Sequence, residues 1–132
     1  MKIIESKTFN ASFVIGRNIG YSNNLLSIEE IEQAILKGQK IINDKYKVPL
    51  SAKLTECKIV FLGQNEPSVE ISFIQYPKFP IDELNYKLAI IELVKLLMDL
   101  LQQNRIVIVF PDNTMSLERS KDIDSAININ QD

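Results

Sequence analysis

The loop at residues 16–20 (GRNIG) contains the first side chain that suits anion binding. Arg17 lies between two glycines, and Ser27 with Glu30 forms a helix-capping motif just beyond the loop. Backbone N–H groups beside an arginine bind phosphate or carboxylate oxygens, especially near the start of a helix. The loop is not of the Walker type, because no Gly-Lys-Ser/Thr sequence follows it. The alternative is a flexible turn with a solvated arginine.

A second loop, residues 76–80 (YPKFP), is stiffened by two prolines and carries aromatic rings. Its Phe79 suits stacking on a nucleotide base, a contact worth about 1–3 kcal/mol. The alternative is a hydrophobic staple under the helix that follows. Further along, Arg105 precedes an apolar strand, and its planar guanidinium suits a phosphate or carboxylate, or else caps the carbonyl groups of the preceding helix.

The residue types that the chain lacks exclude several classes of catalytic and metal-binding site. The chain has no histidine, which excludes His-based triads and His-ligated metals, and its one cysteine, Cys57, has neither an imidazole base nor a disulfide partner. Asp82 and Glu83 are adjacent on a helix and diverge, so they do not form a hydrolytic pair. Because no motif supplies a nucleophile, a base and an oxyanion site together, the sequence predicts binding without catalysis, with no metal and no cofactor.

Length and charge indicate one small soluble protein. The 132 residues suit a single domain, and a net charge of −2 with a pI near 5.2 argues against a partner that is duplex nucleic acid. The most apolar window, residues 88–101, is interrupted by Glu92, Lys95 and Asp99, which argues against a membrane span. We therefore expect a cytoplasmic protein.

Segments in which apolar residues recur at every second position are interspersed with segments in which they recur every three to four positions. They predict four strands and two helices, in the order strand 8–16, helix 27–43, strand 50–62, strand 68–76, helix 81–103 and strand 106–110. The second strand changes phase, which predicts a bulge near residues 55–56, and a hairpin loop is predicted at residues 63–67. The last strand reads as buried on both faces.

The order β-α-β-β-α-β predicts an α+β, ferredoxin-like antiparallel sheet with both helices on one face. The other face is then polar, with Thr8, Asn10, Ser12, Glu70 and Ser72. Residues 1–117 form this ligand-binding domain, and residues 118–132 form a polar, flexible tail. The second helix is apolar around most of its circumference, which predicts packing against another chain in an oligomer.

Four segments together resemble the first Thoeris anti-defence family of bacteriophages. They are residues 9–17 (FNASFVIGR), 63–67 (GQNEP), 76–80 (YPKFP) and 104–110 (NRIVIVF). The resemblance covers about residues 1–117. It implies a cyclic-nucleotide sponge, which captures a cyclic ADP-ribose isomer without cleaving it and so blocks Thoeris signalling in the infected bacterial cell. It also implies a homo-oligomer, from dimer to hexamer, which in some members also traps cyclic di- or trinucleotides.

The resemblance assigns ligand-binding roles residue by residue. Phe79 becomes a base-stacking residue and Arg105 a phosphate clamp. Residues of two loops complete pockets shared between protomers: Arg17, Asn18, Tyr21, Asp112, Asn113 and Thr114.

Two other functions fit the same element order. An oligomeric ferredoxin-like module for a small molecule or a protein would use the long helix as its interface. A single-stranded RNA reader is disfavoured, because residues 69–73 (VEISF) offer an acid and no glycine where the RNA-binding motif requires a basic residue and glycine.

Overall fold

The computed structural model describes residues 1–19 and 24–119. Its elements are five strands and two helices in the order β1 (Asn10–Gly16), α1 (Ile28–Tyr46), β2 (Ala52–Phe61), β3 (Gln64–Ile74), α2 (Glu83–Leu100), β4 (Arg105–Val109) and β5 (Thr114–Glu118). Tyr21 and nearly all of the predicted tail lie outside the described residues.

The five strands form one antiparallel sheet in the order β2-β3-β1-β4-β5. β1 lies at the centre, pairing Ser12 with Ser72 of β3 on one side and with Val109 of β4 on the other. The first four strands and the two helices confirm the predicted α+β, ferredoxin-like fold. β5 is an addition that the sequence reading missed.

The sheet separates an apolar face from a polar one. Phe13, Ile71 and Ile108 point to the helices and are buried there. Ser12, Glu70 and Ser72 alternate with these residues along the strands and lie half-buried on the opposite face, as predicted. On this open face the strands β1, β3 and β4 carry aliphatic, small polar and charged side chains and no aromatic ring, unlike the stacking aromatics that an RNA reader presents there.

Both helices begin at the side chains that the sequence indicates. Ser27 and Glu30 form the predicted capping box, and Asp82 accepts a hydrogen bond from the backbone N–H of Asn85 at the start of α2. Within the described ranges, neither helix combines the length and hydropathy that a membrane span requires. On α2, Leu84 and Leu88 stay exposed beside a fully buried stripe, as its wide apolar arc predicts.

Three local predictions are wrong. β2 pairs with β3 without a bulge, so Cys57, Ile59 and Phe61 simply lie on the face opposite to Leu54. The predicted loop at residues 63–67 is mostly strand, because a two-residue turn already reverses the chain at residues 62–63. β4 is covered by helices on only one face, so the side chains of its alternate valines are exposed.

Candidate functional site

A cleft of about 420 Å³ opens where β3 ends and α2 begins, and we call it the aromatic cleft. Its volume lies in the range of small-molecule sites. Ten uncharged residues line it: Gln39, Pro49, Leu50, Ser51, Ala52, Ile74, Tyr76, Phe79, Ile81 and Tyr86. Because none of the described lining residues is charged, recognition here depends on ring faces, hydroxyl groups and exclusion of water.

The loop after β3 positions the rings of Tyr76 and Phe79 at the outer side of the cleft. The Phe79 N–H donates to the Tyr76 carbonyl over 3.0 Å, which closes a turn between the two aromatic residues. The Ile81 N–H donates to the Gln75 side-chain oxygen over 2.8 Å, so the far end of the loop is also tied down. Phe79 remains 62% exposed, which argues against its alternative role as a buried staple. The Lys78 Nζ lies 5.8 Å from the centre of the Phe79 ring, so a ligand would stack on the ring face that Lys78 does not cover.

Tyr86 of α2 forms the inner wall of the cleft. Its side chain is 2% exposed, its ring lies 5.0 Å from that of Phe9, and its hydroxyl donates to the Ile74 carbonyl over 2.9 Å. Burial, with a smaller contribution from nearby Tyr76, raises the pKa of the Tyr86 phenol to about 12. At neutral pH Tyr86 therefore keeps its proton and does not act as a base.

Polar atoms at the mouth and floor of the cleft come from Ser51 and Gln39. The Ser51 hydroxyl donates to the Tyr76 hydroxyl over 3.4 Å at the exposed rim. The Gln39 side chain of α1 donates to the Leu50 carbonyl over 3.0 Å, which fixes the approach to β2 against the helix. These groups can offer a ribose hydroxyl its hydrogen bonds.

The predicted arginines lie at the other end of the sheet. The Arg17 Nε donates to the Leu26 carbonyl over 2.9 Å, so this arginine braces the chain leading to α1. The Arg105 Nε lies 2.7 Å from a Glu118 carboxylate oxygen, an ion pair without hydrogen-bond alignment, since this buried atom has no hydrogen-bond partner among the described residues. Arg105 thus pairs β4 with β5 instead of capping α2.

Asp112 and Asn113 lie in the turn between β4 and β5, Thr114 begins β5, and Lys87 of α2 contacts the turn. The Lys87 Nζ lies 3.5 Å from Asp112 Oδ1, donates to Asn113 Oδ1 over 2.9 Å and lies 4.8 Å from the centre of the Phe110 ring. Thr114 pairs with Val109 in the sheet. This turn lies at the same end as the aromatic cleft but does not line it.

Among the described residues to which the resemblance assigns a role, Phe79 is the one that lines the cleft. Asn18 forms a bridge with Leu25 beside Arg17, and the length of β1, about 20 Å, separates Arg17 and Arg105 from the cleft end. Phe79 and Arg105 therefore do not meet in one chain, and the predicted pocket that uses both requires a second chain.

Sequence reading did not single out Tyr86, Ser51 or Gln39 as site residues. One signal for Tyr86 was available, because its phenol interrupts an otherwise aliphatic stripe of α2 and a buried phenol needs a hydrogen-bond partner. Ser51 and Gln39 carry no such signal, since small polar residues are common in loops and on helix surfaces.

No protein-family model and no curated protein sequence matches this chain. Two solved structures share its fold. A phage SAM lyase in its apo state has 17% sequence identity and a TM-score of 0.64, covering 87% of this chain and 91% of that chain. A phage SAM lyase in complex with S-methyl-5′-thioadenosine has 18% identity and a TM-score of 0.60, covering 89% and 95%. At this identity the likeness establishes the fold.

These neighbours correct two expectations. Both are enzymes, so the prediction of a protein without catalytic activity is wrong, and with it the prediction of a sponge that only sequesters a cyclic nucleotide. The physical error was to require a proton shuttle for any catalysis. The phage origin of the neighbours agrees with the coarse form of the resemblance, and a bound nucleoside in one of them agrees with a small-molecule ligand.

Proposed function

We propose that this chain is a lyase that cleaves S-adenosylmethionine and releases S-methyl-5′-thioadenosine from the aromatic cleft. The supporting observation is a fold shared with phage SAM lyase over 87% of this chain and 91% of the other, which leaves little of either chain unmatched. The cleft lies within the shared domain and has the size and the ring faces that an adenosine group requires.

In this proposal the adenine ring stacks on Phe79 and the ribose hydroxyls meet Ser51 and Tyr76. Phe79 offers an exposed ring, and the Ser51 and Tyr76 hydroxyls lie 3.4 Å apart at the rim. Aromatic faces also attract a cation through the negative charge of the ring face. The Lys78 Nζ already lies 5.8 Å from the centre of the Phe79 ring, so the positively charged sulfur of the substrate would face the rings of Tyr76 and Tyr86, without a carboxylate.

The reaction fits a cleft without an acid or a base. When the bond between sulfur and the γ-carbon breaks, its electron pair moves to sulfur, which becomes a neutral thioether and leaves without a proton. The carboxylate of the substrate itself forms a bond to the γ-carbon and closes a lactone. Atoms and charge balance in this single displacement. Tyr86 keeps its proton and contributes only by forming the inner wall of the cleft.

An uncharged environment favours this displacement. The substrate brings a negative carboxylate to a positive sulfonium, and both charges disappear in the products. Water stabilises the separated charges more than it stabilises the partly neutralised transition state, so a cleft that excludes water lowers the barrier. The ten uncharged lining residues give the cleft walls of low polarity, which favour this displacement.

The test is incubation of the purified chain with S-adenosylmethionine, followed by chromatography and mass spectrometry. We expect one methylthioadenosine for each substrate molecule lost, and no solvent deuterium on carbon in the lactone when the reaction runs in heavy water. S-adenosylhomocysteine, which has the same nucleoside but a neutral sulfur, should remain intact. Unchanged S-adenosylmethionine after prolonged incubation would refute the proposed activity.

A further inference from the structure

The aromatic cleft offers contacts to a nucleoside but no opposite charge to an amino acid. Its ten lining residues are uncharged, and the Phe79 ring and the hydroxyl groups of Ser51 and Tyr76 lie at its exposed side. The proposed function, on which this inference rests, places adenine and ribose against these groups. The rest of the substrate carries an ammonium, a carboxylate and a sulfonium, and each of them loses solvation when it is buried without an opposite charge.

The charged side chains at the start of α2 already have partners within the chain. Asp82 accepts hydrogen bonds from the backbone and the side chain of Asn85. Glu83 lies 3.3 Å from the Lys7 Nζ, and Lys87 contacts the turn between β4 and β5. These intramolecular pairs compete with any contact between the same groups and the charged ends of an amino acid.

Lys78 is the one charged residue in the sequence of the loop 75–81 (QYPKFPI). Its side chain is exposed, and its Nζ lies beside the ring of Phe79. An exposed ammonium and a carboxylate attract each other only weakly in water. Lys78 therefore adds little affinity for the amino-acid part of the substrate.

The contacts with the nucleoside are the same before and after the proposed reaction. S-methyl-5′-thioadenosine keeps the adenine, the ribose and the S-methyl group of the substrate and loses only the amino-acid part. Contacts that bind substrate and product equally well do not favour release of the product. The sulfur also changes from a cation, whose burial is costly and is only partly offset by aromatic rings, to a neutral thioether, whose burial is favourable.

We propose that S-methyl-5′-thioadenosine stays bound in the aromatic cleft after the reaction and inhibits the next turnover. Sustained activity then depends on a second reaction, carried out by another enzyme, that cleaves the glycosidic bond of this product. The bond between ribose C1′ and adenine N9 breaks, and its electron pair goes to N9, which takes up a proton. Water or inorganic phosphate supplies the oxygen that bonds to C1′.

Cleavage at the glycosidic bond is the change that empties the cleft. It separates the adenine, which contacts Phe79, from the sugar, which contacts Ser51 and Tyr76. Two unlinked fragments bind much more weakly than one molecule that contains both, because the second contact is no longer intramolecular. A reaction at the thioether would leave adenine and ribose joined and would not have this effect.

Calorimetric titration with two ligands that have a neutral sulfur tests retention without catalysis. S-adenosylhomocysteine carries the ammonium and the carboxylate, whereas methylthioadenosine lacks both. We expect methylthioadenosine to bind with an equal or lower Kd. A Kd for S-adenosylhomocysteine that is lower by about tenfold or more would refute the proposal, because it would show that the charged part is bound. Absence of binding by both ligands would refute the proposed function as well.

Lys78→Gln tests whether the loop lysine binds the carboxylate. The ratio of the two Kd values should change by less than about twofold, because an exposed charge contributes little. Lys53→Gln is the matched control, since Lys53 pairs with Ser72 on the open face of the sheet. A larger change in Lys78→Gln than in Lys53→Gln would refute the weak role of Lys78 on which the proposal depends.

Progress curves test the dependence on a second reaction. We expect consumption of S-adenosylmethionine to slow before the substrate is exhausted, and a purified nucleoside hydrolase that accepts methylthioadenosine to restore the rate, unlike the same enzyme after heat inactivation. An initial rate that saturating methylthioadenosine leaves unchanged would refute retention and leave the proposed function intact. A chain that binds methylthioadenosine but consumes no S-adenosylmethionine would refute the proposed function and support retention.

Discussion

The two ends of the sheet differ in how their polar groups are used. At the end where β1 finishes, the Arg17 Nε donates to a backbone carbonyl, and Arg105 and Arg119 pair with Glu118 and Asp99. At the end where β3 finishes, the cleft has rings and hydroxyls around an open space and no charged lining among the described residues. We call these the arginine end and the cleft end.

The comparison teaches that a conspicuous charge can be structural while an uncharged group is the candidate for chemistry. Arginine is the residue best suited to a buried or partly buried ion pair, so the presence of an arginine alone does not identify a ligand site. The cleft end presents aromatic faces to a ligand. Stacking on such a face does not require a fixed arrangement of residues, so it produces no recognisable spacing in the sequence. Four predictions test this distinction.

The largest expected effect is alkaline destabilisation from the cleft end. The pKa of Tyr86 is raised from 10.0 to about 12, so the folded state holds this proton more tightly than the unfolded state. This stabilisation is fully present below pH 10.0. As the pH rises from 10.0 to about 12, the free energy of unfolding should decrease by about 2–3 kcal/mol. Urea unfolding across this range should show the loss in wild type.

Tyr86→Phe is the control for that measurement. It should lower stability near neutral pH by about 1 kcal/mol through loss of the hydrogen bond to Ile74, and it should flatten the alkaline loss. An equal alkaline loss in wild type and variant would show that another group titrates.

The second effect concerns affinity at the cleft. Phe79→Ala should weaken binding of methylthioadenosine by about 1–3 kcal/mol, because the stacking face is removed. Isothermal titration calorimetry measures this change. Tyr46→Ala is the matched control, since Tyr46 is an exposed aromatic residue that does not line the cleft. Equal affinities for the two variants would contradict the stacking role of Phe79.

The third effect is a small one at the arginine end. Arg105→Ala should lower the free energy of unfolding by less than about 1 kcal/mol, because the ion pair with Glu118 is partly exposed. The affinity for methylthioadenosine should stay within about twofold of wild type, since Arg105 is a strand length from the cleft. A large loss of affinity with unchanged stability would return Arg105 to the role of a ligand clamp.

The smallest expected effect is that of salt. Raising the ionic strength from about 0.05 M to about 1 M should leave the affinity for methylthioadenosine nearly unchanged, because an uncharged ligand meets an uncharged cleft. The ion pairs at the arginine end should weaken slightly under the same conditions. A steep decrease of affinity with salt would indicate that charged residues bind the nucleoside.

The sequence predicted most of the fold because its signals are local. Clean alternation in β1 and the capping box at Ser27 each depend on neighbouring residues, and both are observed. The phase change in β2 was read as a bulge because sequence alone does not show where the partner strands stop. Ile59 and Phe61 lie in the part of the β2–β3 hairpin that extends beyond the pairing of β3 with β1, so their face needs no match to the core.

The site was harder to predict because it is assembled from distant segments. Phe79 was selected from its loop, and the structure leaves its ring exposed at the cleft. Its neighbours Ser51 and Tyr86 come from other segments and have no distinctive spacing. The intramolecular partners of the arginines, Glu118 and the Leu26 carbonyl, are apparent only after folding. Catalysis was excluded because no motif combines a nucleophile, a base and an oxyanion site. In the proposed reaction the substrate supplies its own nucleophile, which no motif in the sequence indicates.

One nuclear magnetic resonance titration tests the central claim most directly. Isotopically labelled protein is mixed with methyl-labelled S-adenosylmethionine, and the amide shifts and the substrate methyl signal are followed in the same sample. The account predicts that the methyl signal moves from its sulfonium position to that of a thioether, with amide shifts concentrated at Ser51, Tyr76 and Phe79. An unchanged methyl signal, or shifts concentrated around Arg17 and Arg105, would contradict it.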